Sequence, residues 1–283
     1  MIGNLLRKSV QLVPWRLRER IKYLPLIAPV QRFMVNRLMG NGPFLHMINA
    51  GPAKGLRVSI QMPDDKGMWT GTYEARFAEA LAAAVRPGDK CFDIGGYHGF
   101  FSGVFALAGA SEVHIFEPLP SNVIRIQSLS EANPKLPLVV HPVAVGAEVG
   151  QTGFVIMPEA SMGKFSNSSF QQQQRGAETI AVRVETLDHL IETDAVPVPD
   201  VVKIDVEGAE AMVLAGGERM LRKRRPQLFI EVHSRELARE CDDVLRDYGY
   251  GVRVLETDKP PDFESQPTVC HFFACADNEL PHS

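Results

Sequence analysis

Short apolar runs that end on or beside an acid recur along the chain. Cys91 to Ile94 contains Asp93 and leads into glycines. Glu112 to Glu117 closes on Glu117-Pro118, and Asp200 to Asp205 closes on Asp205. Pro226 to Val232 contains Glu231 and is followed by His233. Continuous apolar runs of this length suit strands buried on both faces, as in a parallel sheet. Leu136 to Val145 reads as a further strand of the same kind.

Stretches of helical length separate these runs: Phe100 to Ala110, Pro120 to Ala132 with Ser121 available as its cap, Ala209 to Arg222, and Arg235 to Tyr248. Gly251 to Glu256 and Thr268 to Ala276 have only a loop between them, which predicts an antiparallel hairpin at the sheet edge. Earlier in the chain, Arg57 to Met62 alternates as a strand and Ala75 to Val85 reads as a helix. The whole predicts an α/β fold with a seven-stranded sheet.

The alternation lapses between Val149 and Glu178. Gly153 to Met157 is apolar, but Ala160 to Arg175 is rich in Ser, Asn and Gln without a period. A polar excursion of that kind is either disordered or a substrate loop. Lys164 and Ser168 are its candidate contacts to a polyhydroxylated ligand. Thr179 to Val184 then alternates as a strand, and Thr186 to Ile191 makes a short helical turn.

Charge separates the start of the chain from the rest. The first 40 residues hold eight Lys/Arg against the single acid Glu19, a net +7, leaving −11 for residues 41–283. Leucines interleave with those charges, and Pro14, Pro25 and Pro29 break the segment into short helices. We expect residues 1–70 to form a basic helical appendage and lead-in, and residues 71–283 to form the main domain. The appendage would pack on the core or on a second copy in a homo-oligomer, or rest on an anionic membrane surface.

Composition is otherwise that of a globular chain, 45% apolar and 23% charged, and the total of −4 gives no case for nucleic acid. The four cysteines form no paired framework, which fits a reducing, cytoplasmic setting. Cys270, His271 and Cys275 lie in an apolar run and read as a buried strand rather than a metal site. No apolar stretch reaches the length of a membrane span.

The candidate chemistry clusters at the strand ends. After Asp93 come Gly95, Gly96 and Gly99, and then a helix. Glycine lets a backbone approach a ligand closely, and a new helix points free N–H groups at an anion. Asp93 at the mouth of this loop would repel a pyrophosphate. It suits a ligand bearing both an ammonium and a carboxylate, as S-adenosylmethionine does. Glu117, closing the next strand, suits the two hydroxyls of a ribose. Asp205 and His233 close neighbouring strands, where a base for an acceptor hydroxyl would lie. Glu207 and Glu210 follow in a first helical turn, which favours acids whatever the chemistry. Glu74, before the helix from Ala75, is a candidate wall of the acceptor pocket.

Asp93-Ile-Gly-Gly-Tyr-His-Gly, Phe116-Glu-Pro-Leu-Pro-Ser-Asn122 and Lys203-Ile-Asp-Val-Glu-Gly-Ala-Glu210 resemble the three signature blocks of FkbM-type methyltransferases, and Thr186-Leu-Asp188 fits as well. The resemblance covers residues 70 to 275. It implies a class I, Rossmann-like S-adenosylmethionine fold and O-methylation of a sugar, glycan or secondary-metabolite hydroxyl, with S-adenosylhomocysteine as product. Carried over by motif, Asp93, Gly95, Gly99, Glu117 and Asn122 would line the cofactor site, with Gly96, Tyr97, Pro118, Ala144 and Val145 beside them. Asp205 and Glu207 would lie near the transfer site. The family usually has Ala-Asn where this chain has Gly96-Tyr97, so Tyr97 is expected to cover the ligand in place of the missing amide. No metal is predicted, although a divalent ion on Asp205 is the competing mechanism. A non-catalytic scaffold that binds cofactor or membrane is the rival of another class, and a nicotinamide oxidoreductase is a further one.

Overall fold

The computed structural model describes residues 43–61, 65–156, 163–165 and 179–276. The expectations for residues 1–40, for Ser168 and for most of the polar excursion fall outside them. Two compact units divide at Ala75/Arg76.

In the first unit β1 (Phe44–Met47) pairs antiparallel with β2 (Arg57–Ile60), Phe44 opposite Ile60 and Met47 opposite Arg57. Val58 and Ile60 are buried while Arg57 and Ser59 are exposed, the two-residue period of a strand with one face covered. Helix α1 (Lys66–Thr70) follows and ends on Gly71, whose φ of 74° admits only glycine comfortably.

Helix α2 (Ala75–Ala84) leads into the second unit. The chain then runs β3 (Lys90–Ile94), α3 (Phe100–Ala108), β4 (Glu112–Phe116), α4 (Pro120–Ala132) and β5 (Leu138–His141). Next come β6 (Ala144–Val145), β7 (Gly150–Ile156), β8 (Gly163–Phe165), β9 (Thr179–Glu185), α5 (Leu187–Glu192) and β10 (Val201–Ile204). It closes with α6 (Glu210–Gly216), α7 (Glu218–Arg224), β11 (Gln227–Val232), α8 (Arg235–Asp247), β12 (Tyr250–Val254) and β13 (Cys270–Ala276).

Among the described residues, seven strands form one sheet in the order β12-β13-β11-β10-β3-β4-β5. Strands β11, β10, β3, β4 and β5 are parallel, and β13 runs antiparallel between β11 and β12. This is the class I methyltransferase arrangement. The expected hairpin is present, with β12 as its outer member. Winding proceeds from β3 to β4 and β5 on one side, then returns to β10 and β11 on the other. The carboxyl ends of β3 and β10 therefore flank the crevice where open α/β sheets bind ligands. Phe92, Ile94, Val202, Ile204, Leu228 and Ile230 are buried, so these strands read as apolar runs interrupted at Asp93, Lys203 and Glu231.

Three expectations need correction. Leu136 to Val145 is two strands, because Pro142 has no N–H to continue the ladder and the chain turns there. Its second part, β6, joins a separate four-stranded sheet in the order β6-β9-β7-β8. Ala209 to Arg222 is also broken in two. A Cβ on Gly216 would come within 2.0 Å of the Gly146 carbonyl oxygen, so α6 ends pressed against that turn and α7 restarts at Glu218. Finally, Leu119 rather than Ser121 occupies the cap position of α4, since Pro120 already supplies a first helical residue that needs no hydrogen-bond acceptor. Among the described residues, no helix is long and apolar enough to cross a membrane.

Candidate functional site

The loop after β3 is stitched to the strands on both sides. Gly95 and Gly96 donate to the Phe116 carbonyl at 3.0 and 3.2 Å, and Asp205 donates to the Ile94 carbonyl at 3.0 Å. Gly95 has φ 79°, and a Cβ there would lie 1.8 Å from the Asp205 carbonyl oxygen, so the two loops can meet only over a glycine. At Gly96 a Cβ would lie 2.2 Å from Cγ2 of Ile115. The space a side chain would need there is filled by the isoleucine.

Asp93 and Lys203 sit directly opposite each other on β3 and β10. Both are buried, and Lys203 Nζ lies 3.1 Å from Asp93 Oδ1 and 3.5 Å from Asp205 Oδ2. It also donates to the Gly95 carbonyl at 2.8 Å. Burial opposes the ammonium charge, but Asp93 and Asp205 outweigh it and hold the pKa of Lys203 above its ordinary value. Ser102 donates to the other oxygen of Asp93. The Asp93 carboxylate is thus held by the lysine on one oxygen and the serine on the other.

Glu117 is 5% exposed. Its Oε2 accepts from Tyr97 N at 2.9 Å and its Oε1 from Leu119 N at 2.8 Å. Burial pushes its pKa up to about 7 against those bonds and that of Asn122. Tyr97 holds φ 50°, a left-handed conformation for a residue with a side chain, and its amide is thereby turned onto Glu117. With Asn122 also bonded to this carboxylate, one acceptor direction is left for a ligand hydroxyl. Beside it, His98 is buried with neither ring nitrogen hydrogen-bonded. Burial, with Arg125 nearby, pushes its pKa down to about 2, so it is neutral.

At the ends of β10 and β11 a knot of carboxylates surrounds one imidazole. Glu210 is wholly buried and its Oε1 accepts from Gly208 N at 3.1 Å, while the same oxygen lies 2.9 Å from His233 Nδ1. With Nδ1 so occupied, Nε2 faces Glu207 at 3.6 Å, Asp205 at 3.7 Å and Glu231 at 3.8 Å. Burial works against a charge on His233, but Glu210, Asp205 and Glu207 outweigh it and push its pKa up to about 9. At neutral pH the imidazole is a cation. Glu207 holds φ 54°, so both loops facing the crevice carry a strained residue.

Among the sequence candidates, Asp93, Gly95, Gly96, Tyr97, Gly99, Glu117 and Asn122 are joined around the β3 and β4 ends, with Pro118 half-buried beside Glu117. Asp205, Glu207 and His233 meet at the β10 and β11 ends. Ala144 and Val145 belong to β6, and their side chains pack into the core. Lys164 lies in β8, opposite Val155 of β7, and Glu74 belongs to the first unit. The site also uses Glu231, which the sequence placed at a strand end, and Lys203 and Ser102, to which it assigned no role. A lysine inside the otherwise apolar run Asp200 to Asp205 was the available signal.

These residues fit S-adenosylmethionine in two respects. The glycine loop opens a nine-residue helix whose first N–H groups can meet a carboxylate, and Glu117 can accept from a ribose hydroxyl. The family model of the methyltransferase FkbM domain matches residues 93–252. The hexuronic acid methyltransferase AglP of Haloferax volcanii is 28% identical over 155 residues, 54% of this chain and 60% of that protein. The chain thus spans less than two thirds of this curated relative. Among solved structures, methyltransferase FkbM from Methylobacillus flagellatus gives a TM-score of 0.43 at 18% identity, covering 69% of this chain and 50% of that one. A precorrin-6y C5,15-methyltransferase from Geobacter metallireducens gives 0.45 at 12%, covering 72% and 88%.

Proposed function

Because the chain belongs to the methyltransferase FkbM family, we propose that it is an S-adenosylmethionine-dependent O-methyltransferase acting on a hydroxyl of a sugar or glycan. The observation that carries the reading is the meeting of Asp205 and His233 beside the glycine loop at the point where the sheet's winding reverses. When bound, the cofactor supplies an electrophilic methyl group on a sulfonium. The name of the Haloferax relative supports a sugar as acceptor.

A hydroxyl is a poor nucleophile and must lose its proton as it attacks, so a base within reach is needed. Asp205, a quarter exposed, is that base. With its pKa pushed up to about 9, His233 is not the base at neutral pH; it faces Asp205 at 3.7 Å and offsets the neighbouring acids. Lys203 holds Asp205 from the other side and fixes the Gly95 carbonyl, tying the base to the cofactor loop. Glu117 and the helix start at Phe100 hold the cofactor's ribose and carboxylate.

The test is release of S-adenosylhomocysteine across a panel of sugars, uronic acids and glycolipids. Asp205→Asn keeps the shape and removes the base. Turnover should fall roughly 10²- to 10⁴-fold with cofactor affinity retained, and His233→Ala should lose less. No turnover with any hydroxyl acceptor, or an unimpaired Asp205→Asn, would overturn the reading.

A further inference from the structure

Asp205, Glu231 and His233 each bring one ligand atom to within 4.8 Å of the others. Each comes from a different register of the sheet's ligand end: Asp205 just beyond β10, Glu231 within β11 and His233 just beyond it. From this arrangement we infer that the three side chains form a binding site for a divalent cation of the Mg²⁺ or Mn²⁺ type.

Three observations support it. The first is the setting of the histidine. Its Nδ1 is fixed by the fully buried Glu210 at 2.9 Å, which leaves Nε2 presented to the carboxylates. An imidazole oriented by a carboxylate on its far nitrogen is the usual support of a metal-ligating histidine. The second is spacing. Nε2 lies 3.7 Å from Asp205 Oδ1 and 3.8 Å from Glu231 Oε1, too long for hydrogen bonds. Ligand atoms about 2.0–2.2 Å from one octahedral ion stand roughly 3 Å apart when neighbouring and roughly 4.2 Å when opposite, so 3.7 and 3.8 Å lie within the span one ion can bridge.

The third is charge. Among the described residues, Asp205, Glu207, Glu210 and Glu231 converge on the His233 ring, which would give up its Nε2 proton to an ion, and Lys203 is shared between Asp93 and Asp205. His271 lies 3.6 Å from Glu231 but is itself engaged by Glu256 at 2.6 Å, so it does not change the balance. Half-buried acids in such excess are stabilised by a cation between them. Oxygen donors with a single imidazole favour hard ions over the thiolate-seeking ones.

The consequence for transfer rests on the function proposed above, whereas the site itself does not. An ion held by Asp205 Oδ1 would bind the acceptor oxygen and lower its pKa. The second oxygen, Oδ2, on the Lys203 side, would remain to take the proton. In that step the acceptor O–H bond would break as its proton passes to Asp205 Oδ2, an O–CH3 bond would form, and the S–CH3 bond of the sulfonium would break and leave its electron pair on the sulfur of S-adenosylhomocysteine.

The test is Mn²⁺ binding by calorimetry and by loss of the free-ion paramagnetic resonance signal. It uses the full chain freed of metal with EDTA, without cofactor or acceptor. One Mn²⁺ per chain is expected, displaced by Mg²⁺. Glu231→Gln and His233→Ala should each weaken binding roughly tenfold or more, with unchanged circular dichroism showing that both variants fold. Absence of binding at roughly 1 mM, the weak end of functional sites, overturns the inference. So does equal binding by the wild type and both folded variants. Failure of the methyltransferase reading would look different: Mn²⁺ would bind while no S-adenosylhomocysteine formed.

Discussion

Lys203 and Asp93 face each other across two hydrogen-bonded strands, and neither reaches solvent. Removing one partner of such a pair leaves the other charged and unsolvated. Lys203→Met should therefore lose about 3–5 kcal/mol in urea unfolding, and adding Asp93→Asn should restore much of that loss. An unaltered midpoint in Lys203→Met would show that the pair carries no stability. Glu117 gives a test in pH. Its pKa is 4.5 in the free chain and about 7 here, mainly through burial. The folded state therefore holds this proton more tightly, and its contribution to stability falls as pH rises from 4.5 through 7. The wild type should lose on the order of 3 kcal/mol across that window relative to Glu117→Gln. Parallel stability curves for the two proteins would refute the assignment. The acids at the strand ends were legible in the sequence, because an acid closing an apolar run has few structural reasons to be there. The partner of Asp93 was not, since a lysine on another strand becomes a neighbour only once the register is known.

At the scale of elements, Thr186-Leu-Asp188 caps two helices at once. Thr186 Oγ1 accepts from His189 N at 3.1 Å and caps its own helix, α5. Asp188 reaches the start of α7 and accepts from Arg219 N at 2.9 Å and Met220 N at 2.8 Å. Those N–H groups have no partner within α7, so Asp188→Ala should cost about 1–2 kcal/mol. Thermal unfolding measures it, and a melting temperature unchanged from wild type would argue that water replaces the carboxylate. This contact also explains why the sequence joined α6 and α7 into one helix. The pattern of apolar positions is continuous across Gly216-Gly217, and the break is made by a cap 31 residues away in the chain and by the close approach of Gly146. The second sheet was missed for a related reason. Strand β6 is only two residues long and is defined by its pairing with β9, not by any period of its own.

For the molecule as a whole, alternation of strand and helix was enough to anticipate a seven-stranded sheet with its ligands at one end, because parallel strands need crossovers and crossovers leave a period that can be read. Where β13 would lie was less open to reading, since a hairpin fixes only which two strands are neighbours. In the structure β13 separates β12 from β11, although β12 precedes it in the chain. This sets an order of assembly. During synthesis, β11 emerges with one edge bare and β12 emerges with nothing to pair with, and both must wait until residues 270–276 have left the ribosome. Until then Glu231, on that bare edge, has no fixed neighbour opposite it. The half of the crevice that carries the acids and His233 is thus completed late, after the glycine loop beyond β3 can already have formed.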